Sequence, residues 1–246
     1  MDDARVIEKI EQLVRDGLTV SVEGQVFSAS KLAPVIHDPR PDTLAVCNLS
    51  GFCGFINRDI DKMIAGNPHL IVVSSPESVE IVSAVEGILA KRTRLASARL
   101  AEGLAKFPFG RFMAQEEFAI MFQSLFAQKS GDDFEYVLSY ASKLVGGTAI
   151  NGDDDGITQE VTVRRGLSGT LKQKEKLKPI VRLSPYRTFR EIEQPESEFL
   201  LRVRLSGDDV PTVALFEADG GAWINRAMAN IVAYIESQVE GIPVIA

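Results

Sequence analysis

The chain reads as an α+β protein: a mixed or largely antiparallel sheet carrying three to four packed helices, one of them C-terminal. Three observations predict this. Apolar residues recur at helical spacing in several stretches, the last being 222–239. Short alternating or β-branched runs cluster between 157 and 216, with no helical stretch among them. The order strand, helix, strand, strand over 43–100 is not a regular βα alternation, so a purely parallel sheet is not expected.

The elements follow in order. Val6, Ile7, Ile10, Leu13 and Val14 form one stripe over 4–16, and Gly17 supplies a stop. Residues 18–22 and 25–28 read as a hairpin around Glu23-Gly24, and HDPRPD (37–42) as a turn or linker. TLAVCN (43–48) is a short strand. A helix is expected over 49–64 on Phe52, Phe55, Ile56, Ile60, Met63 and Ile64, with Ser50 as its cap. HLIVVS (69–74) is a strand, 79–85 a second strand or short helix, and 92–100 an alternating run interrupted by arginines. After the loop KFPFGRF (106–112), helices over 114–127 and 132–145 make an αα-hairpin across Lys129–Gly131. Strands are expected at 157–163, 178–183, 199–205 and 212–216, then the helix 222–239 and an edge strand at Val244-Ile245. The organisation expected is an N-terminal helix and hairpin (1–42), an α+β subdomain (43–148) and a β-rich subdomain (149–246), the last two being candidates for one continuous domain.

Composition narrows the function classes. Apolar residues make up 45% and charged residues 25% of 246, with net charge −7, which excludes a disordered chain or a disulfide scaffold. No run of 18 apolar residues exists, and the acidic start MDDARVIEKIEQLVRDG lacks the basic residues of a signal peptide. A cytoplasmic protein is expected. Cys47 and Cys53 lie in apolar runs and are expected to be reduced and buried.

Catalytic motifs are missing: there is no Gly-x-Ser-x-Gly elbow (GLSGT at 166–170 has Ser one place late), no Walker loop and no Gly-x-Gly-x-x-Gly. Asn151, Asp153, Asp155 and Gly156 match the start of an EF-hand loop, but the twelfth position is Thr162 rather than Glu, so no calcium site is expected. His37 and His69 have no metal-ligand spacing around them and read as surface or capping residues. Gly220-Gly221 before the last helix reads as a turn, and Trp223 as core or interface. Glu217 and Asp219, between a strand and a helix, suit either helix capping or a metal-assisted site; capping is preferred. No enzyme activity, metal or cofactor is expected.

Charge is the anomaly. Arg164, Arg165, Lys172, Lys174, Lys176, Lys178, Arg182, Arg187 and Arg190 face a single acid, Glu175, so this window carries +8 against −15 for the remainder. Alternating lysines put ammonium groups on one side of an extended segment, as a phosphate backbone requires. Tyr186 and Phe189 add rings beside Arg187 and Arg190, as single-strand binders use for stacking. These eleven residues are the expected polyanion site. The competing readings are a solvated hairpin tip, an acidic protein face docking on the basic one, and internal pairing of Arg187 with Glu217 or Asp219.

The strings LSPYRTFREIEQPESEFLLRVR (183–204) and ALFEADGGAWINRAMANIVAYI (214–235), with FMAQEEFAIMFQSLF (112–126) and DDDGITQEVTVRRG (153–166), resemble a family of bacteriophage- and prophage-encoded proteins without assigned function. The resemblance covers roughly 43–246 and carries no catalytic residue. It implies a non-enzymatic phage-encoded protein expressed with replication, recombination or counter-defence genes; the basic window then adds the expectation of an accessory to phage DNA metabolism holding single-stranded nucleic acid or a phosphorylated ligand such as a nucleotide, and the split between a +8 window and a −15 remainder that of a homo-oligomer. The alternative it leaves open is an assembly or counter-defence protein that binds a host protein or sequesters a nucleotide.

Overall fold

In the computed structural model, residues 3–22, 25–28, 42–85, 90–144, 149–151, 160–165, 171–206 and 210–246 are described, with backbone alone for 3, 16, 18–28 and 149–176. The Glu23-Gly24 turn, His37 and its Pro-rich stretch, the acidic residues Asp153–Asp155 and the GLSGT string lie outside these residues, as do the side chains of Arg164, Arg165, Lys172, Lys174 and Lys176.

Contacts divide the chain into two units, Met1–Asp42 and Thr43–Ala246. In the first, α1 (Asp3–Leu18) precedes a hairpin of β1 (Thr19–Val22) and β2 (Gln25–Ser28), with Val22 opposite Gln25. The stripe of α1 forms as its spacing demands, and Val6, Ile7, Ile10, Leu13 and Val14 are all at least half exposed.

The second unit is built on two five-stranded sheets, each with its own core. The first sheet is mixed. It contains β3 (Leu44–Val46), β4 (His69–Ser75), β5 (Ser78–Ser83), β6 (Arg94–Arg99) and a C-terminal strand, Val244–Ile245. β4, β5 and β6 form an antiparallel meander, whereas β3 joins β6, and Val244–Ile245 joins β4, in parallel. α2 (Leu49–Arg58) follows β3 and contributes Leu49, Phe52, Cys53 and Ile56 to this core.

α2 stops six residues short of the expected Ile64. Asp59 takes a left-handed conformation (φ 39°), and its carboxylate accepts the N–H groups of Met63, Ile64 and Ala65 at 2.8–2.9 Å. Those bonds hold the Asp59 carboxyl below its ordinary pKa. The cap also differs from expectation: Asn48, not Ser50, accepts the Gly51 N–H at 2.8 Å. A Cβ on Gly51 would stand 2.6 Å from the Asn48 Oδ1, so glycine is what permits this cap. Cys53 is buried, as expected, and burial pushes its thiol up to about 11. Cys47 is exposed, against expectation, because β3 is an edge strand whose residues are largely open to solvent.

The second sheet is antiparallel throughout. Its strands are β7 (Met113–Ala114), β8 (Phe126–Ala127), β12 (Ile180–Pro185), β13 (Ser197–Leu205) and β14 (Pro211–Glu217), in the order β7-β14-β13-β12-β8. α3 (Gln115–Leu125) and α4 (Phe134–Lys143) form the expected helical hairpin and pack on one face. Odd-numbered residues of the long strands, Val181, Leu183, Phe199, Leu201, Val203, Val213 and Leu215, point into this core, as period-2 alternation dictates. The sequence boundary expected between 148 and 149 falls inside this structure, since β7 and β8 pair with β14 and β12. A third sheet joins β9 (Ala149–Asn151), β10 (Glu160–Arg165) and β11 (Leu171–Lys176). α5 (Ala222–Gln238) returns to the mixed sheet with Ala227, Ile231 and Ile235 buried, and Val244–Ile245 is β15. The fold is therefore α+β, with five helices among the described residues.

Candidate functional site

The stretch after β12 does not turn directly into β13. Pro185 ends the strand, and residues 186–196 cross to the other core. Phe189 and Ile192 enter the mixed-sheet core, with Phe189 at 0% exposure. The crossing is tied along its length. The Tyr186 N–H donates to the Leu125 carbonyl (2.8 Å), and the Arg187 N–H to the Gln194 Oε1 (3.2 Å). The Gln194 amide donates back to the carbonyls of Phe189 and Ile192. The Thr188 hydroxyl reaches the Pro76 carbonyl, and the Glu191 Oε1 accepts the N–H of Leu49 (2.8 Å) at the start of α2. Every peptide group engaged this way is one fewer orphan, which is why an irregular segment can be half buried here.

Arg187 lies at the root of this segment. Its Nη1 donates to the Glu217 Oε1 and its Nη2 to the Ser197 hydroxyl, both at 2.5 Å. Its guanidinium lies 4.0 Å from the centre of the Trp223 ring and about as far from Phe109 (5.7 Å) as from Phe199 (5.6 Å). Planarity and weak hydration suit arginine to such an aromatic bed. Burial lowers its pKa to about 10, with Glu217 and Asp219 opposing the shift, so it remains a cation at neutral pH. Asp219 does not make the helix cap expected of it: α5 starts from Gly221 with no side-chain cap, and the Asp219 Oδ1 instead accepts the Gly221 N–H at 3.0 Å in the turn before the helix, where the left-handed Gly221 brings that N–H back onto it. Two buried atoms here carry no hydrogen-bond partner, Arg187 Nε and Asp219 Oδ2.

Above Arg187 opens a cavity of about 500 Å³. Phe107, Phe109, Tyr186 and Trp223 supply rings, and residues 100–107 form one wall. The Arg190 guanidinium carbon lies over the Tyr186 ring, 3.6 Å from its centre. Lys106 pairs with Glu77 (2.7 Å) at the margin. The charged residues lining the cavity are Lys106, Arg187 and Arg190 against Glu77, Glu102 and Glu217. Two of the cations are committed to carboxylates; among the described residues Arg190 and Glu102 have no ion-pair partner.

The eleven expected site residues thus separate into groups. Tyr186, Arg187 and Arg190 come together at the cavity. Phe189 does not join them: it is a core residue and has no face to stack on a ligand, because the crossing segment needs an apolar anchor in the far core. Lys178 is held by both oxygens of Asp133 at 2.7 Å, and Arg182 stands 3.8 Å from Glu196, so these two are internally paired on β12 and its approach. Arg164 and Arg165 lie on β10 and Lys172, Lys174 and Lys176 on β11, in a register that sets Lys172 opposite Arg164 and Lys176 opposite Glu160. Of the histidines, His69 is nearly buried at the start of β4, with its Nδ1 2.8 Å from the Asn67 carbonyl.

Sequence reasoning missed Glu77, Glu102, Lys106 and Phe109. Lys106 and Phe109 have one signal, KFPFGRF, where Pro108 separates two phenylalanines that no helical or strand period explains; Glu77 and Glu102 have none. Among the described residues no group of three or more His, Cys, Asp or Glu is placed to hold a metal ion, and no helix is long and apolar enough to cross a membrane. Compared with protein-family models, curated proteins and solved structures, the chain has no match.

Proposed function

We propose that this is a binding protein whose cavity holds a phosphorylated, ring-bearing ligand without transforming it. One observation carries the reading: Arg190, a cation with no carboxylate partner among the described residues, is held over Tyr186 at a cavity with aromatic walls. An arginine held over a ring keeps its donors in a pre-organised fork, which suits phosphate, and guanidinium planes also stack on rings. A cavity of this size and mixed lining is typical of small-ligand sites. Glu217 is paired with Arg187, and one oxygen of Asp219 accepts from the turn before α5, so the binding reading does not call on either as a metal ligand. The resemblance to phage and prophage proteins supports a setting in phage DNA metabolism or counter-defence, where nucleotides and single strands are the available phosphates.

Trp223 is the only tryptophan and lines the cavity, so its fluorescence is the natural readout. Titration with a mixture of nucleoside monophosphates is expected to change it saturably, and Arg190→Ala to weaken the response at least tenfold. A flat titration up to millimolar ligand sinks the reading.

A second reading, a polyanion tracked along the lysine row, draws on β11 being a strand with Lys172, Lys174 and Lys176 at alternate positions. It predicts binding of single-stranded DNA with a log–log salt slope of about −3 to −4, if four to six charges displace counterions. Lys172→Glu/Lys174→Glu/Lys176→Glu should abolish it and leave the Trp223 response intact.

A further inference from the structure

Resting on the cavity reading, we infer that the site takes a single nucleotide unit with a terminal phosphate and turns away a continuing strand. The argument is the local charge balance. A cavity of about 500 Å³ has room for one base with its sugar and phosphate. Within it, Arg187 is neutralised by Glu217 and Lys106 by Glu77, so among the described residues Arg190 is the lining cation left free for a ligand. One arginine matches one phosphate group.

A strand would bring further phosphates past the same walls. There they meet Glu102, which has no cation partner among the described residues, so this wall adds a negative charge where a polyanion needs positive ones. A site built to track a polyanion shows the opposite arrangement, with cations in excess along the groove. The aromatic residues point the same way. Tyr186 and Trp223 are already covered on one face by Arg190 and Arg187, so they offer no ladder for successive bases.

The test uses the full-length protein and three probes followed by Trp223 fluorescence: 5′-AMP, adenosine, and a twelve-residue deoxyadenosine oligonucleotide used as a competitor against 5′-AMP. The expected result is saturable binding of 5′-AMP, at least tenfold weaker binding of adenosine, and no displacement of 5′-AMP by the oligonucleotide at matched strand concentration. Arg190→Ala should bring 5′-AMP to the adenosine level. Glu102→Gln, on the exposed wall and outside every hydrogen bond described above, should let the oligonucleotide begin to compete. Competition by the oligonucleotide with the unaltered protein overturns the inference while leaving the cavity as a binding site. Failure of all four common nucleoside monophosphates to bind removes both.

Discussion

The two cores of the larger unit solve the same packing problem with different materials. Under the antiparallel sheet the filling is aromatic: Phe118, Phe122, Phe126, Phe134 and Phe199 touch in a chain of stacked and edge-on rings, with Phe107 and Phe109 at its end. Under the mixed sheet it is mostly aliphatic, from Ile71, Val73, Val79 and Ile81 on the strands to Ile231 and Ile235 on α5. The difference teaches where a site can be built. The aromatic core ends in rings that an arginine can lie on, and Arg187 uses Phe109 and Phe199 in that way. The aliphatic core supplies a socket instead, which grips the far end of the crossing segment through Phe189 and Ile192.

That contrast can be broken most forcefully at Phe122, which contacts Phe118, Phe126 and Phe134. Phe122→Ala is expected to cost about 3–5 kcal/mol in urea denaturation, and to leave the ligand response of the molecules that remain folded unchanged. Phe189→Ala, in the other core, should cost a similar or slightly smaller amount, about 3 kcal/mol. It should also weaken the Trp223 response, because the segment carrying Arg187 and Arg190 loses its anchor. Equal effects of the two substitutions on binding would show that the socket does not position the site.

A smaller effect is expected at Glu191, which caps α2 from the crossing segment through the Leu49 and Ser50 N–H groups. Glu191→Ala should cost about 1 kcal/mol by the same measurement. Smaller still is the contribution of Asp59. Its folded pKa is lowered, so its stabilisation is present above the unfolded value, near 4, and is lost as pH falls through the folded value. Asp59→Asn should lower the melting temperature at neutral pH and converge with the unaltered protein in acid, which flattens the acid limb of the profile; an unaltered limb would refute the linkage. Thiol labelling separates the cysteines without any substitution: Cys47 should react at once and Cys53 only on unfolding.

Periodicity made most of the elements legible. The helices at α1, α3, α4 and α5 and the long strands β4, β13 and β14 lie close to where alternation and helical spacing put them. The failures have local causes. α2 is cut short by a carboxylate that draws the next turn around itself at Asp59, which a hydrophobic stripe running on to Ile64 conceals. Cys47 lies in an apolar run, yet the run is an edge strand, and only the sheet order reveals that. For the site, nearness in sequence was a poor guide to nearness in space. Tyr186, Arg187 and Arg190 were legible as a basic aromatic cluster, and Glu217 as the partner of Arg187. Phe189, in the middle of that cluster, belongs to another layer. Glu77 and Glu102 reach the cavity from stretches with no anomaly of composition.

The order of strands along the chain bears on how the molecule is made. The mixed sheet begins with β3–β6, but α5 and β15, which complete it, are synthesised only after the whole antiparallel sheet, and Val244 must find Ile71 across everything between. Closing so long a loop is entropically slow to reward. During translation the later half of the unit can finish first, while Ile71, Val79 and Ile81 wait without the helix that covers them. The nascent chain therefore passes through a stage in which an apolar sheet face is open to chaperones or to other nascent chains. A slowed ribosome upstream of α5 prolongs that stage, and the yield of folded protein should fall with it.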